Sequence, residues 1–118
     1  MEIDCTNYTE SNALLAEIVR LLDFPKHFRG KSFDAFKDLL SSIEINDGGT
    51  VVVFKHFDLI ENKFAHTLLD ILTNNSREHI VFGRKLLTLV QVDNPEYRID
   101  PIGSTDVLWS WSTSRLLR

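Results

Sequence analysis

The sequence is short of cross-linking residues. Its 118 residues include a single cysteine, Cys5, so no disulfide can form within the chain. A chain of this length buries about two thirds of its unfolded surface on folding and needs neither a disulfide nor a metal to be stable. Disulfide-free chains are typical of reducing compartments. We therefore expect a single domain over residues 1–118 that works in the cytoplasm.

The sequence also shows no sign of a targeting segment or a membrane-spanning segment. The start, "MEIDCTNYTE", has neither a basic region nor the apolar stretch of a signal peptide. No apolar run approaches the ~20 residues of a membrane span. The sequence therefore predicts no membrane association.

Positive charge is scarce relative to negative charge. There are 13 Lys and Arg residues against 17 Asp and Glu residues, and the net charge is -4. Binding to phosphate backbones needs clustered Lys and Arg. The balance argues mildly against nucleic acid as a direct ligand and is compatible with a basic protein partner.

Motifs that carry catalysis are not found. The sequence has no G-x-G-x-x-G, Walker, G-x-S-x-G or H-E-x-x-H pattern, and Gly48-Gly49 precedes a strand rather than a helix. Cys5 has no activating neighbour and fits a small buried residue better than a nucleophile. His66 and Asp70 are spaced for a shared metal but have no obvious third ligand. We expect no enzyme activity, no metal and no cofactor.

Apolar periodicity divides the chain into alternating helices and strands. Strands are buried β-branched or aliphatic runs, and helices show apolar residues at helical spacing. The predicted elements are a weak strand at 1–5, helices at 9–22, 32–43 and 58–72, and strands at 50–54 and 85–92. This alternation predicts an α/β fold with a small parallel sheet of about three strands packed with helices.

Some element details follow from single residues. Thr9 or Ser11 is suited to cap the first helix, and Asp58 to cap the third, with Glu61 completing a capping box. "TNNSREH" at 73–79 is expected to close that third helix. The run "VVVF" at 51–54 predicts a strand buried on both faces.

The tail beyond residue 92 is less regular. Val107, Trp109 and Trp111 alternate with polar or smaller residues, which favours an edge strand with one aromatic face. Such aromatics more often pack than bind, although a binding surface is the alternative. We expect a core at about 1–92 and a C-terminal strand or hairpin extension at about 93–118.

The second helix carries an acidic face. Asp34 and Asp38 are four residues apart, so both point the same way, and like charges at that spacing slightly destabilise a helix. The helix dipole accounts for Asp34 in the first turn, but its effect has faded at Asp38. The alternative is an ordinary solvated face.

The stretch "FPKHFRGKSFDAFKDLL" at 24–40 resembles the barstar family. A loop with a proline, an aromatic residue and a glycine leads into an Asp-Ala-aromatic-x-Asp-Leu-Leu helix, followed by a turn and the buried "VVVF" strand. "LLTLVQVDNP" at 86–95 is similar to the last core strand of barstar-like proteins. The resemblance covers about residues 1–92.

The resemblance implies a non-catalytic bacterial immunity protein that inhibits a ribonuclease toxin in a 1:1 complex. In the family, an acidic helix and the preceding loop enter the basic active site of the toxin. Asp34 and Asp38 would meet the cations, His27 and Phe28 would pack on the enzyme, and Gly30 would let the loop turn close to it.

This sequence departs from the family pattern at several positions. The proline-to-glycine spacing is one residue longer, Lys37 replaces a frequent aromatic residue, and Arg29 and Lys31 add positive charge beside the acidic face. Glu78 is a candidate for the further acidic contact that the third helix often supplies. These departures leave open which toxin the protein meets.

Two other functions remain. The same scaffold acting against a deoxyribonuclease toxin is favoured by the mixed-charge loop. A small α/β regulatory subunit would use the tail with Trp109 and Trp111 as its contact.

Overall fold

Three parallel strands form the centre of the structure. The computed structural model describes residues 1–8, 10–21, 36 and 48–109. Strands β1 (Glu2–Asp4), β2 (Thr50–Lys55) and β3 (Leu86–Val90) lie side by side in chain order, so that β2 is central. Both pairs are parallel. The predicted α/β fold with a small parallel sheet is confirmed, and the weak first strand at 1–5 is β1.

Over the described residues, one face of the sheet is buried and the other is largely exposed. Val52 and Phe54 are completely buried, whereas Val51, Leu87 and Leu89 on the opposite face are 41%, 54% and 48% exposed. The prediction that "VVVF" is buried on both faces is therefore wrong. An all-aliphatic strand has the same sequence pattern whether or not its second face is covered, and only the tertiary packing distinguishes the two cases.

Helix α1 (Ser11–Leu21) follows β1 after one 3₁₀ turn, Cys5–Asn7. Leu14, Leu15 and Ile18 are buried in the core, as the helical spacing predicted. The prediction of a helix here is confirmed over Ser11–Leu21, and the predicted end residues, 9 and 22, lie outside the described residues.

Helix α2 (Asn62–Val81) begins later than predicted. Glu61 is its N-cap, and the Glu61 side chain accepts hydrogen bonds from the backbone N–H groups of Lys63 and Phe64. The prediction of Asp58 as the cap is wrong because Asp58 lies in a 3₁₀ turn, Phe57–Leu59, and Ile60 is extended. A helix that started at Asp58 would have to include Ile60, and the extended backbone of Ile60 prevents this.

Helix α2 also ends later than predicted. "TNNSREH" continues the helix instead of closing it, and Asn75 and His79 are buried at 3% and 5% exposure. The Ser76 hydroxyl donates a hydrogen bond to the backbone oxygen of Leu86 in β3 at 2.6 Å. Packing against the sheet therefore outweighs the weak helix propensity of Asn and Ser. No helix built from the described residues is long and apolar enough to span a membrane.

The extension forms a hairpin turn. The backbones of Ile102 and Thr105 exchange hydrogen bonds at 2.8 and 3.0 Å. Gly103 and Ser104 between them have φ values of 56° and 67°, and a type I′ turn needs positive φ at both central residues. Ile102 is 7% exposed and belongs to the core cluster.

Of the two predicted forms, a strand or a hairpin, the described part of the extension has the hairpin. Residues 107–109 lie outside any strand, and the Trp109 ring meets Tyr97 edge-on with centroids 5.9 Å apart. Trp109 thus packs against another aromatic ring and takes no part in a sheet ladder. Trp111 lies outside the described residues.

Candidate functional site

Phe36 is the one described residue of the predicted acidic helix. Its backbone is helical, and its side chain is completely buried in the core cluster. The sequence analysis placed Phe36 on the apolar face of that helix, and its burial agrees. The residues proposed to contact a toxin lie outside the described residues: His27, Phe28, Arg29, Gly30, Asp34, Lys37 and Asp38.

Gly49 and Thr50, which come after those residues in the chain, lie at the amino edge of the sheet, where the strands begin. The backbone N–H of Thr50 donates to the Lys85 oxygen at 2.8 Å. Gly49 adopts φ +88°, and a Cβ there would lie 3.2 Å from the Cβ and the backbone oxygen of Lys85. Gly49 and Thr50 therefore contact Lys85 in the turn that follows α2.

The last turn of α2 lies at the same edge, because β3 begins five residues after the helix ends. Glu78 is exposed there. Val81 and Phe82 beside it are each 78% exposed. The sequence analysis named Glu78 but missed the apolar pair, whose signal was two large apolar residues directly before Gly83.

A polar cluster occupies the opposite, carboxyl edge. His56 Nδ1 lies 2.5 Å from the Asp93 carboxylate, and Gln91 bonds both the His56 backbone N–H and Asp93, each at 2.8 Å. Asp58 accepts hydrogen bonds from the backbone N–H groups of Asp93 and Asn94 at 3.3 and 3.0 Å. These contacts fasten the start of the extension to the end of β2.

Charge perturbs the histidine of this cluster. The hydrogen bond to Asp93 raises the pKa of His56, and the negative charges of Asp93, Asp4 and Asp58 add to that effect. His56 has φ +56°, a left-handed conformation that is uncommon for non-glycine residues. The sequence analysis missed this cluster, although polar residues that follow two parallel strands are a usable signal.

Cys5 is not an activated nucleophile. It is completely buried, and burial together with the charges of Asp4 and Asp58 raises its pKa to about 12. The thiol is therefore protonated at neutral pH, whereas a nucleophilic cysteine needs a lowered pKa. The interpretation of Cys5 as a small buried residue is confirmed.

His66 and Asp70 both contact the C-terminal extension. His66 Nε2 lies 2.9 Å from the Pro101 oxygen, and the Asp70 carboxylate accepts the Gly103 backbone N–H at 2.9 Å. Within the described ranges, no group of three or more His, Cys, Asp or Glu side chains is arranged to hold a metal ion.

Comparison with known proteins decides the family. Residues 1–91 match the family model described as "Barstar (barnase inhibitor)". The chain belongs to the barstar family. The matched part runs from β1 to the end of β3. It includes every strand of the sheet and both described helices. No protein among the curated sequences matches the chain.

The two edges of the sheet differ in how far the barstar match covers them. The amino edge, with Glu78, Gly49 and Lys85, lies wholly within the matched residues. The carboxyl edge combines matched residues with an extension beyond the barstar match, from Val92 onward. Barstar-family members are inhibitors of ribonucleases by the description of the family, so the partner expected for this chain is a protein.

Proposed function

We propose that the protein is a non-catalytic inhibitor that binds a cognate ribonuclease toxin and blocks its active site. The observation that carries this proposal is the barstar match over residues 1–91. The protein would act as a monomer in a 1:1 complex, as the immunity partner of a bacterial toxin–antitoxin pair in the cytoplasm.

The burial of Phe36 supports the outward direction of the acidic face. An α-helix advances about 100° per residue, so positions two before and two after a buried residue lie about 160° away from it on either side. Asp34 and Asp38 occupy those two positions. If the helix extends over both, we expect their carboxylates to face away from the core and to be only about 40° apart.

Two adjacent carboxylates suit the proposed target. A ribonuclease active site is cationic because it binds phosphate, and carboxylates form strong charge-assisted hydrogen bonds with Arg, Lys and protonated His. Repulsion between Asp34 and Asp38 in the free helix would be relieved when cations approach. Opposite charges also accelerate the encounter of the two proteins.

The loop before the helix would supply the remaining contacts. His27 and Phe28 are proposed to pack on the toxin, and Gly30 to let the backbone approach it. Arg29 and Lys37 bring positive charge next to the carboxylates, and we expect them to select a toxin with a matching acidic rim. This mixed charge favours one second candidate, inhibition of a deoxyribonuclease toxin by the same surface.

The test measures nuclease inhibition by the purified protein. Two enzymes serve as probes, each assayed on RNA and on DNA: barnase and, if it is a nuclease, the product of the neighbouring gene. We expect inhibition of RNA cleavage, and we expect Asp38→Ala to weaken binding by at least about 2 kcal/mol, because interface energy concentrates in a few residues.

Asp106→Ala is the matched control, because it removes the same charge from an exposed aspartate on the extension. Binding by this variant should stay at the wild-type level, and both variants should keep the wild-type circular dichroism spectrum. Inhibition of DNA cleavage alone would select the second candidate. No inhibition of either enzyme would refute the inhibitor proposal, and equal binding by wild type and Asp38→Ala would refute the role of the acidic helix.

A further inference from the structure

Two histidines contact the C-terminal extension at different points. His56, directly after β2, lies against the Asp93 carboxylate, with Nδ1 at 2.5 Å. His66, in the second turn of α2, lies against the backbone oxygen of Pro101, with Nε2 at 2.9 Å. The Pro101 carbonyl needs only a proton on Nε2, which the charged ring and one neutral tautomer both supply. A carboxylate, in contrast, binds a charged imidazole more strongly than a neutral one. The two contacts should therefore respond differently to pH.

The backbone of His56 depends on the same contacts. It has φ 56° and ψ 41°, a left-handed conformation that is uncommon for non-glycine residues. The His56 N–H donates to the side-chain oxygen of Gln91, and the Gln91 amide donates to Asp93, each at 2.8 Å. His56, Gln91 and Asp93 thus form a closed ring of contacts. Weakening the bond between His56 and Asp93 therefore weakens the hold on all three residues.

The charges that act on the His56 ring come from several elements. Lys55 precedes it in the chain, and its ammonium lies 3.7 Å from a carboxylate of β1. Among the described residues, negative charge acts on the ring from β1, from the 3₁₀ turn and from the extension, through Asp93, Asp4 and Asp58. The hydrogen bond to Asp93 is the largest influence, and together these groups raise the pKa of His56. Both His56 and Asp93 are partly exposed, so solvent protons reach the pair.

Further contacts connect this pair to the rest of the extension. The backbone N–H of Tyr97 donates to the Asn94 oxygen at 3.0 Å, and the Tyr97 ring meets Trp109 edge-on. Further along, the Gly103 N–H donates to the Asp70 carboxylate of α2 at 2.9 Å. Residues 93–109 thus lie along α2 as one connected segment, which we call the strap.

We propose that the contact between His56 and Asp93 is a proton-controlled latch, which holds the strap closed when the imidazole is charged and lets it open as a unit when the imidazole is neutral. Histidine changes its charge between about pH 5 and pH 8. Because the pKa of His56 is raised in the folded protein, the latch acts fully at pH values below the pKa in the unfolded chain. Its action is lost as the pH rises through the pKa in the folded protein. Opening would uncover the flank of α2 that carries His66 and Asp70. This inference does not depend on the proposed ribonuclease partner.

Amide hydrogen exchange measures the opening of the strap directly. Protection factors, which correct for the intrinsic pH dependence of exchange, are determined at about pH 5.5 and about pH 8.5, on either side of the ordinary histidine pKa. The reporters for the strap are the amides of Asn94 and Gly103, which bond to carboxylates of the 3₁₀ turn and of α2. The amide of Thr50, which bonds to the Lys85 oxygen at the start of the sheet, reports on the core.

We expect both strap amides of the wild type to lose protection about threefold from the lower to the higher pH, the size of effect that an exposed ion pair gives. The Thr50 amide should be unchanged. His56→Asn, in which asparagine tolerates the left-handed backbone, should give the low protection at both pH values. His66→Ala is the matched control, because it removes the other histidine contact to the strap. It should lower the protection of the strap and keep its pH dependence.

Each contrary outcome overturns the proposal for a different reason. Unchanged protection of both strap amides in the wild type would show that the latch does not respond to protons. A response at Asn94 without one at Gly103 would show local fraying instead of opening as a unit. An equal loss at Thr50 would show global unfolding. A response that persists in His56→Asn and disappears in His66→Ala would assign the titration to His66.

Discussion

Truncating Ile102 to alanine tests whether the extension belongs to the folding domain. Ile102 lies outside the family match, yet it is 7% exposed and packs in the core cluster. The substitution removes three outer carbons, each contributing about 0.8 kcal/mol when buried. The hairpin can settle partly into the space, so little is added for a cavity. We expect the free energy of unfolding to fall by about 2–3 kcal/mol.

Urea unfolding followed by circular dichroism measures this loss. Leu108→Ala is the control, because Leu108 is 96% exposed on the same extension, and its effect should stay within about 0.5 kcal/mol. The slope of the transition should be unchanged in both variants. If Ile102→Ala is also within about 0.5 kcal/mol of wild type, the extension is an appendage and the single domain over residues 1–118 is refuted.

Two further predictions concern the backbone and the pH dependence. Asp93 raises the pKa of His56 in the folded protein. The pair therefore stabilises the fold fully at pH values below the pKa of His56 in the unfolded chain. This stabilisation is lost as the pH rises through the pKa of His56 in the folded protein. The control variant is His56→Asn, because asparagine tolerates the left-handed backbone. The difference in free energy of unfolding between wild type and this variant should therefore be larger at about pH 5.5 than at about pH 8.5. An equal difference at both pH values in urea titrations would exclude the ion pair. Gly103→Ala should destabilise by about 1–2 kcal/mol, because Gly103 has φ +56° and a Cβ would lie 3.0 Å from Thr73 Cγ2. Gly48→Ala, with no atom within 4 Å, is its control in thermal unfolding, and equal losses would contradict the turn geometry.

The order of elements was predictable because its signals are local. The aliphatic runs that became β2 and β3 and the helical stripe of α1 appear directly in the sequence. The boundaries of α2 were not predictable, since they depend on distant partners. Asp58 binds the backbone at 93–94 instead of capping the helix, and Ser76 bonds to Leu86.

In the candidate site, too, some features were predictable from the sequence and others were not. The acidic pair Asp34 and Asp38 was found from spacing and resemblance, and remains a prediction. The exposure of Phe82 was not predictable, because a large apolar residue after a helix is equally compatible with burial. The hydrogen bond between His56 and Asp93 was not predicted, because it joins residues far apart in the chain.

The register of the sheet has a consequence for folding kinetics. β1 joins β2 by pairing Glu2 with Val53, and β2 joins β3 by pairing Thr50 with Leu86. Every ladder therefore closes a long loop, and topologies rich in such distant contacts fold slowly. During synthesis β1 must wait, unpaired, until β2 has left the ribosome. Helix α1 can form in the meantime, so the rate at which the folded protein appears would be set by sheet closure rather than by helix formation.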